Sequence, residues 1–169
     1  APLMESESTI EVLPPYESRS YVDLTLAALQ QFGVKVTARA RKNGSVLYRI
    51  AAPQRYTACD LAIEGDYSQA AFLAVLGCVA GGITVTGLAP DSRQGDKVIL
   101  DILKRCGGKI KTTSDGYAFA RSLLRATEID LADCPDLGPV LFTLGCFCSG
   151  ETVIHNAGRL RMKESDRIE

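Results

Sequence analysis

An internal repeat of about 70 residues constrains this chain more than any other feature of its sequence. Leu76-Gly77-Cys78-Val79-Ala80-Gly81-Gly82-Ile83-Thr84-Val85 matches Leu144-Gly145-Cys146-Phe147-Cys148-Ser149-Gly150-Glu151-Thr152-Val153 at an offset of 68, with six of ten positions identical. Leu29-Gln30-Gln31-Phe32-Gly33-Val34-Lys35-Val36 matches Leu103-Lys104-Arg105-Cys106-Gly107-Gly108-Lys109-Ile110 at an offset of 74, and a turn and short strand follow each copy. This period is too long for the common solenoid repeats. It suits a supersecondary unit that packs against its own copies.

One unit reads as βαβαββ. Leu61-Ala62-Ile63 is a short strand, and the turn Glu64-Gly65-Asp66-Tyr67-Ser68 supplies an N-cap at Asp66 or Ser68. A helix from about Gln69 to Ala80 is apolar nearly all round, which predicts burial, and Gly81-Gly82 can take the left-handed conformation that ends it. Ile83 to Thr86 is a strand; Asp96 can cap a second helix through Cys106, with Val98, Ile99, Ile102 and Leu103 at helical spacing. Lys109 to Thr112 and Tyr117 to Ala120 flank Ser114-Asp115-Gly116, a hairpin signal.

Partial units flank this one. The chain opens with a strand (Thr9 to Leu13), a helix (Ser20 to Phe32) and a hairpin around Lys42-Asn43-Gly44. It closes with a strand at Ile129-Asp130-Leu131, a helix capped by Asp136 and running to about Cys148, a strand from Thr152 to His155, and one helical turn over Lys163 to Glu169. The N-terminal residues resemble neither a signal peptide nor a native start, and both ends interrupt a unit. The fold class expected is therefore α/β (α+β), built on repeated βαβαββ units.

Charge and hydropathy narrow the partners. Nineteen Lys and Arg stand against twenty Asp and Glu with no massed basic face, so neither nucleic acid nor an anionic membrane surface is expected as a partner. The longest apolar run, Ala70 to Ile83, is broken by glycines and falls short of the ~20 residues a membrane span needs. Six cysteines sit mostly within apolar patterns, which reads as small hydrophobes in a reducing cytoplasm. His155 lacks metal-ligand partners at zinc spacing, and Cys146 and Cys148 point to different helix faces, so no metal site is expected.

Chemistry concentrates in Arg159-Leu160-Arg161-Met162-Lys163-Glu164-Ser165-Asp166-Arg167. On a helix, Lys163 and Arg167 would share a face near free backbone N–H groups and form an anion site, with Glu164 alongside to move a proton. The bland alternative is a solvated helix start with surface ion pairs. Asp136 in Cys134-Pro135-Asp136-Leu137-Gly138-Pro139 offers a second carboxylate, for which helix capping is the stronger account from the residues alone. Ser18-Arg19-Ser20-Tyr21 places hydroxyls and a cation at a helix start, where Ser20 can act simply as a cap.

The segment Arg161-Met162-Lys163-Glu164-Ser165-Asp166-Arg167 closely resembles the RxKESDR motif of the 5-enolpyruvylshikimate-3-phosphate (EPSP) synthase family. Ala1-Pro2-Leu3, Ser18 to Leu26, Ile63 to Ser68, Gln94-Gly95-Asp96 and Pro135-Asp136 resemble that family's blocks in order and near its spacings. The resemblance covers the whole chain but only the middle of such an enzyme. It implies an inside-out barrel of six βαβαββ units in two domains, with residues 1–59 ending the N-terminal domain and residues 60–169 beginning the C-terminal one.

The resemblance further implies a transferase of aromatic amino-acid biosynthesis. It would move the enolpyruvyl group of phosphoenolpyruvate to the 5-hydroxyl of shikimate 3-phosphate through a tetrahedral intermediate, as a monomer and without a metal or organic cofactor. Carried over by position, Asp136 and Glu164 would be catalytic, the first at the attacking hydroxyl and the second at the methylene of phosphoenolpyruvate. Asp136, Lys163, Ser18 and Tyr21 would contact shikimate 3-phosphate, and Arg167 would grip phosphoenolpyruvate. Arg159 departs from the family, which usually places an amide or acid there. The alternatives are the related enolpyruvyl transferase acting on a UDP-sugar, and a non-catalytic phosphate-binding fragment.

Overall fold

A computed structural model describes residues 1–169, and the chain forms two compact units, Ala1–Ala62 and Ile63–Glu169. No helix is long and apolar enough to cross a membrane. The architecture mixes helices with three small sheets, as the α/β reading anticipates.

In the first unit β1 (Ser8–Val12), α1 (Arg19–Gln31), β2 (Val36–Ala40) and β3 (Val46–Ile50) form a three-stranded antiparallel sheet in the order β1-β3-β2, with one helix. Strand β3 lies in the middle and carries the buried face of the sheet: Val46, Tyr48 and Ile50 are buried, whereas no residue of β1 or β2 is. Gly44 adopts φ +82° at the hairpin turn, where its N–H donates to the Arg41 carbonyl at 3.0 Å. Glu11 closes the hairpin from β1, accepting from Ser45 Oγ at 2.6 Å and pairing with Arg41 at 3.2 Å.

The second unit holds α2 (Tyr67–Ala80), β4 (Ile83–Thr86), α3 (Ile99–Arg105), β5 (Lys109–Thr113), β6 (Gly116–Ala120), β7 (Glu128–Asp130), α4 (Gly138–Cys146) and β8 (Val153–His155). Strands β4, β6 and β5 form an antiparallel sheet in that order, and β7 pairs with β8 in parallel. The 74-residue offset is visible in the topology. Strand, helix and hairpin follow one another in β1-α1-β2-β3 and again in β4-α3-β5-β6, and each time the last strand takes the centre of its sheet. Side chains of α2, α3, α4 and the strands share one apolar core, including Tyr67, Ile99, Leu103, Leu141 and Leu160.

Four local expectations fail. Residues 61–63 are not a strand: Ile63 is 85% exposed and no neighbouring strand receives its backbone, so the unit observed is αβαββ. Helix α2 begins at Tyr67, capped by Asp66 accepting from Ser68 N at 2.8 Å, yet it is not buried all round, because Phe72, Leu73 and Leu76 face away from the sheet and remain half exposed. Asp96 caps nothing. It lies inside a 3-10 turn, Gly95–Val98, that leads into α3, and Ser68 Oγ donates to its carboxylate. No helix forms over residues 163–169; a 3-10 turn over Ala157–Met162 ends in extended backbone at Lys163.

Candidate active site

The site in the second unit grows from the start of α4. Pro135–Leu137 forms a 3-10 turn continuous with that helix, and the cap position belongs to Cys134, so the capping account of Asp136 does not hold. Its carboxylate instead gathers cations. Lys163 Nζ lies 3.0 Å and Arg167 Nη1 3.2 Å from the same oxygen, Oδ1. Arg167 Nη2 reaches back to Glu164 Oε2 at 2.8 Å. One guanidinium thus bridges both carboxylates, using separate nitrogens of its planar fork, Nη1 for Asp136 and Nη2 for Glu164.

Because residues 163–169 are not helical, the cluster owes its geometry to tertiary anchoring. Leu160 is fully buried, and its carbonyl accepts from Arg167 N at 3.1 Å, which folds the segment back over α4. Gly138 makes room for it: a Cβ there would stand 2.6 Å from Leu160 Cδ1. Arg161 points elsewhere, to Asp166 at 2.7 Å and Glu169 at 3.0 Å, and so holds the end of the segment in shape.

The electrostatics assign protonation states. A hydrogen bond with its own backbone and the Arg167 guanidinium hold the Glu164 carboxyl below the usual range, so near neutral pH it is an ionised proton acceptor. Burial pushes the Cys78 and Cys106 thiols up to about 11 and Cys134 up to about 12, which keeps all three protonated. The six cysteines are unpaired by disulfides. His155 sits 3.6 Å from Glu128 on neighbouring strands.

The structure brings Asp136, Lys163, Glu164 and Arg167 together in the second unit. Ser18 and Tyr21 belong to the first. Ser18, not Ser20, occupies the cap position of α1, in the left-handed region at φ 54°, and its carbonyl accepts from Tyr21 N at 3.2 Å. Tyr21 is 40% exposed on the first turn of α1. Arg19 stacks over the Tyr16 ring, 5.9 Å from its centre.

Sequence reasoning missed the support behind α2. The two glycine turns are locked together: Gln94 Oε1 accepts from Tyr67 N and Gln94 Nε2 donates to the Gly65 carbonyl, both at 2.9 Å, while Ser92 Oγ donates to Glu64 at 2.9 Å. The matching Glu-Gly-Asp and Gln-Gly-Asp spellings hinted at related turns, but their docking joins residues nearly 30 apart.

Comparison with known proteins fits this arrangement. The family model of EPSP synthase (3-phosphoshikimate 1-carboxyvinyltransferase) matches residues 1–169. A protein of Methanococcus maripaludis strain C5 named 3-phosphoshikimate 1-carboxyvinyltransferase is 38% identical over 169 residues, covering 99% of this chain and 39% of the relative. Proteins of that name from Clostridium kluyveri and Clostridium beijerinckii are 42% and 40% identical, each covering 99% of this chain and 38% of the relative. The chain thus spans about two fifths of the length of the curated relatives it matches. With a family match over its whole length and the Lys163-Glu164-Ser165-Asp166-Arg167 block folded onto Asp136, the chain belongs to the EPSP synthase family.

Proposed function

We propose that this chain supplies part of the active-site wall of a 3-phosphoshikimate 1-carboxyvinyltransferase, which joins the enolpyruvyl group of phosphoenolpyruvate to the 5-hydroxyl of shikimate 3-phosphate and releases phosphate. The observation that carries this reading is the convergence of Lys163 and Arg167 on Asp136, with Glu164 on the far side of the same guanidinium. Residues 1–59 end the N-terminal domain and residues 60–169 begin the C-terminal one, within an inside-out barrel of βαβαββ units. The recurrence of one strand order in both units supports that repeat.

The chemistry follows from the charges. Asp136 accepts the hydrogen of the attacking 5-hydroxyl, and Lys163 turns its ammonium to shikimate 3-phosphate. Arg167 takes the phosphate or carboxylate of phosphoenolpyruvate bidentately. In doing so it leaves Glu164, whose carboxyl then loses its cation, binds a proton more readily and can deliver it to the methylene carbon. Ser18 and Tyr21 contribute hydroxyls for the shikimate phosphate.

Titration of the purified chain with shikimate 3-phosphate, followed by amide shifts at Ser18, Asp136 and Lys163, tests the reading. Saturable shifts at these residues, with none from a UDP-sugar, are expected. A well-dispersed spectrum that ignores shikimate 3-phosphate would instead favour a functionally silent phosphate-site fragment. By itself the 169-residue chain should form no measurable product, and mixing it with the remaining segments of the enzyme should restore turnover.

A further inference from the structure

A cavity of about 410 Å³ is lined by the turn before α3, by α3 itself and by strands β5 and β6, and it shares no residue with the cluster around Asp136. Periodicity builds its walls. Lys97, Leu100 and Lys104 recur at helical spacing along one stripe. On the hairpin, Thr112 follows Ile110 on the face that meets the core and stands directly opposite Tyr117.

Polar groups gather around one loop beside it. Tyr117 is 7% exposed, and its hydroxyl lies 3.4 Å from that of Tyr67. Tyr67 has a single hydroxyl proton, which goes to the Ala89 carbonyl at 2.9 Å. The Tyr117 proton is left with an acceptor at 3.4 Å, well beyond the ~2.7–2.8 Å usual between hydroxyls. The next carbonyl, Pro90, accepts from Lys97 Nζ, which brings an ammonium to the same loop. Asp101, the carboxylate of the cavity wall, is matched by Lys104 at 3.5 Å, so Lys97 carries the unmatched charge.

We propose that this cavity is a ligand site separate from the Asp136 cluster, and that it takes a small ring-bearing monocarboxylate, the carboxylate held by Lys97 and Tyr117 and the ring against Val98 and Leu100. The volume falls within the ~300–1,000 Å³ of small-molecule sites, which likewise combine apolar walls with a few convergent polar groups. A carboxylate gives the Tyr117 proton an acceptor at ordinary length, and the Lys97 ammonium has two donors beyond the one used by Pro90. One unmatched cation balances one negative charge, which favours a monoanion over a phosphate dianion. Nothing in this inference rests on the function proposed above.

Amide NMR of the purified chain, titrated with benzoate and separately with benzyl alcohol as its uncharged counterpart, tests the site. Benzoate should give saturable shifts at Val98, Leu100, Thr112 and Tyr117 and leave Lys163 and Arg167 in place. Lys97→Gln should weaken it about tenfold, since a hydrogen bond to a charged group is lost, and Tyr117→Phe should weaken it less. Asp101→Asn, at an exposed position, should tighten it by leaving Lys104 unmatched. The proposal is overturned by any of four results: no saturable shift at millimolar benzoate, shifts confined to Lys163 and Arg167, equal shifts from benzyl alcohol, or wild-type affinity in Lys97→Gln. If Lys97→Gln and Tyr117→Phe do not fold, the contrast between the two probes on the wild-type chain and the response of Asp101→Asn decide.

Discussion

Alanine at Gly77 should weaken the second unit, while alanine at Gly145, its counterpart in the repeat, should not. A Cβ at Gly77 would lie 2.5 Å from Phe119 Cβ and 3.1 Å from Ile83 Cβ. Ordinary carbon contacts are about 3.5–4.0 Å, so α2 must lift from its sheet by about 1 Å. Both obstructing atoms are Cβ carbons and cannot rotate away. Overpacking of this kind costs about 1–3 kcal/mol, and alanine returns up to about 1 kcal/mol of helix propensity, leaving a net loss of up to about 2 kcal/mol. At Gly145 the nearest atom is Thr152 Cβ at 3.4 Å, an ordinary contact, so only the propensity gain remains. Urea unfolding followed through amide signals of α2, β6 and α4 would measure both variants. Equal responses at the two glycines, or a G77A chain as stable as wild type, would refute the close-approach argument.

Gly138→Ala should cost about 1–3 kcal/mol and shift the amides of Lys163 and Arg167, since a Cβ 2.6 Å from Leu160 Cδ1 displaces the anchor of that segment; adding Leu160→Ala should relieve part of the loss in a double-mutant cycle. Asp66→Ala should cost about 1 kcal/mol in thermal unfolding through loss of the α2 cap. Asp96 has a raised folded-state proton affinity, so its contribution to stability is greatest below the unfolded midpoint of about 3.9 and declines as pH rises toward the folded midpoint. Asp96→Asn removes that decline: relative to wild type its urea midpoint should be higher at pH 7 than at pH 4. Arg167→Gln should raise the Glu164 titration midpoint, observable by carboxyl-carbon NMR, because the guanidinium helps keep that carboxylate ionised.

Local chemistry alone was enough for much of this protein. The alternation of Val46, Tyr48 and Ile50, the Asn43-Gly44 turn, the Asp66 cap and the helical spacing of Ile99, Ile102 and Leu103 each act within a few residues, so neighbouring sequence specifies them. The Lys163-Glu164-Ser165-Asp166-Arg167 block likewise marked the family and the cations of the site without any coordinates.

What the residues gather around was settled elsewhere. Capping and charge-gathering look identical at Asp136 until Leu160, buried against Gly138, folds residues 163–167 back across the start of α4. The predicted terminal helix failed and the cluster formed regardless, because Lys163 and Arg167 are joined through Asp136, about 30 residues away, and not through helical periodicity. Asp96 was misread as a cap for the same reason: its partner, Ser68, lies 28 residues earlier. The strand expected at residues 61–63 shows the converse, since a strand exists only where another receives its hydrogen bonds. Helix caps and turns satisfy polar groups from within a short stretch of chain, whereas strand pairing and a charged site depend on partners that only packing brings near.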